Sequence, residues 1–280
     1  MIPINAVAIS NEDIARYYDT EQIFYTLFWS RTALHYGLWY HDTRSLAQAI
    51  LNTNNFVIDI LAVDSCDTIL DAGCGVGGTS IHIAETTGAL VHGVTLSDVQ
   101  LKIARRRARK SSAAHLLNFS KGDFTRTVFG ENTFSKIFGI ESICHAQTKT
   151  DFLNEAYRIT TPGGRIAVMD FFLAKHQLNV EEMKIYKKTI EGWTIPNLAT
   201  ISAFWRHLEH AGFNHISFHN LLPEIEKSSK RMYLQKLLWS PVDAIVSRFG
   251  IGRENLSAKY QRAFFNKGIG VYGAFIATKS

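Results

Sequence analysis

An apolar run that ends in an acid and then in glycines constrains this chain most: Thr68-Ile-Leu-Asp-Ala-Gly-Cys-Gly-Val-Gly-Gly78. Ile69 and Leu70 predict a buried parallel strand, and Thr79 to Glu85 predict the helix that follows it. Between them Gly73, Gly75 and Gly77 let the backbone approach a ligand closely. Strand, turn and helix in this order describe a cofactor site in an α/β sheet, with Asp71 at the strand's mouth.

Gly73, Gly75 and Gly78 also satisfy GxGxxG, so two cofactors compete for the turn. A dinucleotide hands its pyrophosphate to the helix N-terminus and gains nothing from a carboxylate beside it. S-adenosylmethionine carries an ammonium that Asp71 can hold, directly or through water, so the acid favours the sulfonium cofactor. Leu90 to Val94 reads as the second strand, and Thr95-Leu-Ser-Asp98 follows where a dinucleotide enzyme often places its ribose acid. Asp98 keeps that alternative open.

Several separate motifs then agree. Asp71 to Gly78, followed by Gly93-Val-Thr-Leu-Ser-Asp-Val-Gln100, resembles the class I methyltransferases that act on lipids and isoprenoids: cyclopropane fatty-acid synthases, tocopherol methyltransferases and sterol side-chain methyltransferases. Tyr17 to Tyr25, Phe28 and His35-Tyr-Gly-Leu-Trp-Tyr40 are similar to the segment with which that group covers its cofactor. Gly139-Ile-Glu-Ser-Ile-Cys-His-Ala146 resembles the sterol-type segment after the fourth strand, and Thr161-Pro-Gly-Gly164 the turn before the fifth. The likeness covers about residues 14 to 175 and thins afterwards. It implies an α/β fold with a Rossmann-like, mostly parallel seven-stranded sheet, an antiparallel last strand, a helical N-terminal cap and lid insertions.

The resemblance and the chemistry together assign Asp71, Gly73 and Gly75 to the methionine end of S-adenosylmethionine, and Thr95, Leu96 and Gln100 to its ribose. Gly122, Asp123 and Phe124 fall at the adenine, where Asp123 accepts from the exocyclic amine and Phe124 packs on the ring. Tyr36 matches a cover residue that reaches the methionyl carboxylate, and Ile140 closes the fourth strand beside the cofactor. Glu141 and His145 are the candidate catalytic residues. In alkene methylation Glu141 stabilises developing positive charge; in phenol methylation His145 is the nearby imidazole base. Glu141 as a ligand of the methionine amine, and His145 as a structural residue, are the alternatives. Cyclopropane formation is the near rival, but that branch typically pairs Glu with His where Ser142 follows the acid here. The expected substrate is an isoprenoid, sterol-like or other lipophilic small molecule.

Composition narrows the remaining classes. At 280 residues, with 46% of them hydrophobic, the chain can bury one substantial core. One domain is expected: a cap over residues 1–62, a cofactor core over 63–175, lids over 176–198 and 222–267, and closing core elements over 199–221 and 268–280. No segment reaches the roughly 18 apolar residues of a membrane span, and a cytoplasmic protein is expected. Cys66, Cys74 and Cys144 lack metal spacing and are expected to be small buried side chains, with no metal bound. The net charge of +5 concentrates at Lys102, Arg105 to Arg107, Arg109 and Lys110, read as the solvated face of a helix. An anionic membrane surface is the alternative partner; a nucleic acid is not expected, since no Asn/Asp-Pro-Pro-aromatic tetrad occupies 139–146.

Overall fold

The computed structural model describes residues 7–246 and 255–280, with side chains at 7–235 and 260–280. Its strands are β1 (Thr68–Ala72), β2 (Leu90–Thr95), β3 (Leu117–Lys121), β4 (Phe134–Ile140), β5 (Thr160–Leu173), β6 (Phe213–Asn220) and β7 (Gly270–Lys279). They form one sheet in the order β3-β2-β1-β4-β5-β7-β6. Strands β1 to β5 pair in parallel, and β7 inserts antiparallel between β5 and β6. The antiparallel last strand expected from the sequence is therefore present, and it separates this sheet from a dinucleotide-binding one.

Strand chemistry follows position. From Ile166 to Leu173 β5 is buried at every residue, as a central strand covered on both faces must be. Edge strand β6 instead alternates, with His215, Ser217 and His219 among its outward residues. One face of the sheet carries α5 (Lys149–Ile159) and α7 (Ile201–Ala211) over a cluster in which the rings of Phe172, Phe204 and Phe275 meet at 5.0 to 5.2 Å. The other carries α2 (Leu46–Leu61) and α3 (Gly78–Thr87), whose Val57, Leu61, Ile83 and Ala84 pack on Ile69 and Val91. Helix α4 (Asp98–Ala108) covers β2 and β3 through Leu101, Ala104 and Phe119.

The cap begins with α1 (Asn11–Phe24), opened by a capping box between Ser10 and Asp13, and continues as a π-helical turn, Tyr25–Trp29. Asp19 on α1 accepts from the Ser97 hydroxyl at 2.5 Å and the Val99 amide at 3.3 Å, placing a carboxylate on the N-terminus of α4. Past the cap, α6 (Val180–Gly192), α8 (Leu222–Val246) and α9 (Asn255–Asn266) close over the C-terminal end of β5 and the start of β7. No described helix is long and apolar enough to cross a membrane.

The order of strands reverses direction at β1, which pairs with β2 on one side and β4 on the other. Such a switch point opens a crevice at the carboxyl ends of the two strands, where ligands of open α/β sheets bind. Here the glycine turn after β1 faces the segment after β4.

Helix α2 ends on Ala62 in the left-handed region, at φ 50° and ψ 57°. A Cβ there costs about 1–2 kcal/mol, and glycine returns about 0.4–1 kcal/mol of that to the unfolded chain. Ala62→Gly is expected to stabilise by about 0.5–1 kcal/mol, and denaturant titration checks the sign: Ala62→Val should move the midpoint the other way.

Candidate active site

A cavity of about 300 Å³ opens at the switch point, bounded by the glycine turn, the ends of β2 and β4, and the cap. Its walls contain Gly73, Gly75, Thr95, Leu96, Gln100, Asp123, Phe124, Ile140, Glu141 and His145, so ten of the residues singled out from sequence converge on one space. Asp71, Tyr36 and Gly122 are absent from those walls.

Gly73 has φ 101°, and a Cβ on it would lie 2.4 Å from the Cβ of Ser142. The glycine turn and the turn after β4 thus meet backbone to side chain, and the Ser142 hydroxyl donates to the Ala72 carbonyl at 2.5 Å. Gly75, at φ 52°, leaves its Cβ position 3.6 Å from Leu34 of the cap. Asp71 lies beneath this turn, buried, and accepts from the Ser80 hydroxyl at 2.6 Å. Burial raises its carboxyl to about 7, partly offset by that bond.

The nucleoside side is already internally bonded. Gln100 accepts from the Thr95 hydroxyl at 3.1 Å and donates to Gln22 of the cap at 3.2 Å. Asp123 accepts from Asn11 of the cap at 2.7 Å and from the amide and hydroxyl of Thr125. A ligand amine at Asp123 would take the place of the Asn11 amide, the same kind of donor. Phe124 stands edge-on to Phe152 at 5.4 Å.

At the other end Glu141 follows β4 directly and adopts φ 50°, a left-handed conformation unusual for a non-glycine residue. Its Oε1 accepts from the Tyr36 amide and the Tyr272 hydroxyl, both at 2.8 Å. Burial lifts the carboxyl to about 8; these two bonds oppose the shift and Asp170 adds to it. Around it the Phe171 ring meets Trp193 at 5.3 Å and Tyr272 at 5.2 Å, with Tyr36 6.1 Å from Tyr272. The carboxylate therefore sits among aromatic faces.

Tyr36 corrects the sequence reading. Its hydroxyl turns away from the cavity and donates to Gln261 of α9 at 2.5 Å, and only its backbone amide serves the site, through Glu141. The His35-to-Tyr40 segment is gripped from below, because Gly37 lies so close to Ala49 that a Cβ would sit 2.6 Å from that side chain. This register sends the Tyr36 ring into the buried lid cluster. Gly122 precedes Asp123 and packs near Val94 instead. Cys66 is exposed, against the expectation of burial, while Cys74 and Cys144 are buried.

His145 has both ring nitrogens engaged. The Thr194 carbonyl lies 3.1 Å from Nδ1, which must therefore carry the proton, and Nε2 accepts from the Tyr18 hydroxyl at 2.8 Å. Burial lowers its pKa to about 4. A neutral imidazole already accepting a proton donor is a poor base at neutral pH.

Sequence reasoning missed Tyr18, Ser142 and Tyr272. Tyr272 lies 131 residues from the carboxylate it serves, and no local pattern marks it. Of the basic helix, Lys102, Arg106, Arg109 and Lys110 are exposed as expected, whereas Arg107 turns inward to the carbonyls of Thr32 and Val76.

The wall chemistry selects between cofactors. Asp123, Glu141 and Asp151 line the cavity, and no lysine or arginine does among the described residues. A pyrophosphate would find no cation there, while a sulfonium with its ammonium meets carboxylates. The residues fit S-adenosylmethionine.

If the turn is held by its contact with Ser142, Gly73→Ala should destabilise by about 2–4 kcal/mol, combining left-handed strain with overpacking. Ser142→Gly opens the space, so the double variant should be less destabilised than the sum of the singles by about 1 kcal/mol or more, measured by denaturant titration. Additive effects would mean that the two turns do not press on each other.

Comparison with known proteins agrees with this geometry. Sterol 24-C-methyltransferase ERG6 of Saccharomyces cerevisiae is 32% identical over 205 residues, 72% of this chain and 53% of that protein. The chain spans about half the length of the curated sterol 24-C-methyltransferases it matches. In fold it resembles the [4+2]-cyclase SpnF, with TM-score 0.82 and 20% identity over 99% of both chains. It also resembles geranyl diphosphate C-methyltransferase from Streptomyces coelicolor A3(2), with TM-score 0.77 and 19% identity over 96% of this chain and 98% of that one. Its match to the family described as mycolic acid cyclopropane synthetase runs over residues 7–238, and the chain belongs to that family.

Proposed function

We propose that this protein transfers the methyl group of S-adenosylmethionine to an alkene carbon of an isoprenoid or sterol-like lipid. The observation that carries the reading is Glu141, a partly buried carboxylate at the end of β4 that lines the cavity beside Phe171 and Trp193 and is held by Tyr36 and Tyr272. Relatives named as sterol and cycloartenol C-24-methyltransferases support the substrate class.

Bound S-adenosylmethionine supplies a methyl group already activated as an electrophile. The chain's share is then to align the alkene, exclude water and hold charge. In that transfer the alkene π pair would form the new C–C bond as the C–S pair stays on sulfur, and the neighbouring substrate carbon would be cationic until it gives up a proton to the Glu141 carboxylate or to water. Glu141, fixed at Oε1 by Tyr36 and Tyr272, places negative charge toward that carbon. Faces of Phe171 and Trp193 add a quadrupolar attraction that water cannot compete with once the site is closed. Phenol methylation is less well supported, because His145 is held neutral and its Nε2 is occupied by Tyr18.

Glu141→Gln keeps shape and removes the charge. Single-turnover methyl transfer at saturating cofactor should fall about 150-fold, corresponding to about 3 kcal/mol of lost transition-state stabilisation, beyond the weaker cofactor binding that loss of the charge also brings. If the variant loses affinity while chemistry at saturation stays intact, Glu141 is a cofactor ligand and the proposal is wrong.

Cofactor binding should also depend on pH. Glu141 titrates at about 8 in the free protein against an ordinary 4.5, so its contribution to stability is complete below about 4.5 and is lost as pH rises through 8. A cation bound beside it favours the ionised form and expels the proton. S-adenosylmethionine affinity should therefore rise between pH 6 and 8, by up to about tenfold per unit for one proton released. Calorimetry in two buffers of different ionisation heat counts that proton; S-adenosylhomocysteine, without the sulfonium, should release less. A pH-independent affinity would contradict the charge pairing.

A further inference from the structure

The turn that joins β4 to α5 carries the whole reactive end of the cavity, and it is held by two buried charges that do not line it. Asp170, in β5, is 2% exposed and accepts the Cys144 amide on Oδ2 at 2.8 Å. Lys149, at the start of α5, is 6% exposed and donates Nζ to the carbonyls of Cys144 at 2.8 Å and Ala146 at 2.6 Å. The short helical turn Ile143–His145 is therefore gripped through its amide by an anion and through its carbonyls by a cation.

We propose that Lys149 and Asp170 are positioning residues for methyl transfer, a paired clamp that fixes Glu141 and His145 against the cavity. The inference rests on the site assignment of the proposed function.

Three features argue that the clamp is more than core packing. Replacing buried ions by apolar residues of similar size is often neutral or stabilising, so their presence calls for a structural gain elsewhere. Each ion spends its hydrogen bonds on main chain: Asp170 accepts the Cys144 amide of the turn on Oδ2 and the adjacent Phe171 amide of β5 on Oδ1, and Lys149 donates to the Cys144 and Ala146 carbonyls of the turn. The segment itself is unfavourable, since Glu141 occupies a left-handed conformation that a free turn would leave. Burial pulls the Lys149 ammonium down to about 8 and lifts Asp170 to about 6, and each charge offsets the other's shift. The pair is thus electrostatically coupled around the turn that both hold. Phe171, next to Asp170, is itself a wall of the cavity, so the same carboxylate aligns the aromatic face and the turn.

The test uses the full chain with Lys149→Met, Lys149→Arg and Asp170→Asn, the last being isosteric and the variant to rely on if Lys149→Met does not fold. Hydrogen exchange of a peptide spanning 142–147 should accelerate at least tenfold in Lys149→Met and Asp170→Asn, with peptides from β1 and β5 unchanged. Binding of S-adenosylmethionine should stay within threefold of wild type, while single-turnover methyl transfer to an isoprenoid alkene falls at least 30-fold. Lys149→Arg, which can still donate to two carbonyls, should recover most of that loss. The Lys149→Met/Asp170→Asn double variant should be no slower than the worse single, because both act on one turn. Exchange left unchanged in folded Asp170→Asn, or a loosened turn with undiminished transfer, overturns the clamp. The exchange arm needs no substrate: a wild-type protein inactive on every alkene offered defeats the proposed reaction, and the clamp is then judged on exchange alone.

Discussion

Everything at the reactive end depends on one close approach, between the glycine turn after β1 and the turn after β4. Ser142 donates to Ala72 while its Cβ occupies the space a side chain on Gly73 would need. The contact is possible because the two strands are neighbours at the switch point, and it sets the spacing between cofactor turn and reactive carboxylate. Gly139 continues the constraint, since a Cβ there would come within 2.8 Å of Ile143. Glycines thus serve two close approaches here: Gly73 leaves room for Ser142, while Gly139 lets the following turn fold back tightly onto its own strand.

Electrostatics follow from that compactness. Asp71, Glu141 and Asp170 are all carboxylates raised by burial, to about 7, 8 and 6. Such groups are costly in an apolar interior unless a cation answers them. Lys149 answers Asp170; beside Glu141, among the described residues, no lysine or arginine lines the cavity. Under the proposed function, such a site would favour a positive guest and disfavour its own ionisation until one arrives.

What was legible in the sequence was local. The glycine turn, the apolar strand before it and the continuous burial of β5 each sit in a few adjacent residues, so period and composition suffice. The position of Glu141, directly after β4, was legible because it ends an apolar strand. The roles of Tyr36 and Asp71 were not, because each depends on which way a side chain turns: Tyr36 toward Gln261, Asp71 toward Ser80. Tyr272 and Asp170 lay further out of reach, since the antiparallel insertion of β7 and the register of β5 bring them to the site across long stretches of chain. The exposure of Cys66 follows from its position in the short connection between α2 and β1, which composition alone does not reveal.

The cap differs from the core in how it is held, and that difference has a functional sense. Asn11, Tyr18, Asp19 and Gln22 each reach the core through a polar contact, to Asp123, His145, Ser97 and Gln100 respectively. A net contribution of about 0.5–1.5 kcal/mol for such a bond makes this seam far easier to open than the ring-on-ring contacts beneath β5. Water can satisfy each of those groups when the cap lifts, whereas it cannot replace the packing of Phe172 on Phe275. All four contacts border the cavity or its rim, so opening the seam opens the site. On the proposed reaction, a lipophilic guest would need that route and a cationic intermediate would need it closed again. Polar bonds along the seam would meet both demands, because they can be exchanged with water at little net cost and still specify one closed geometry.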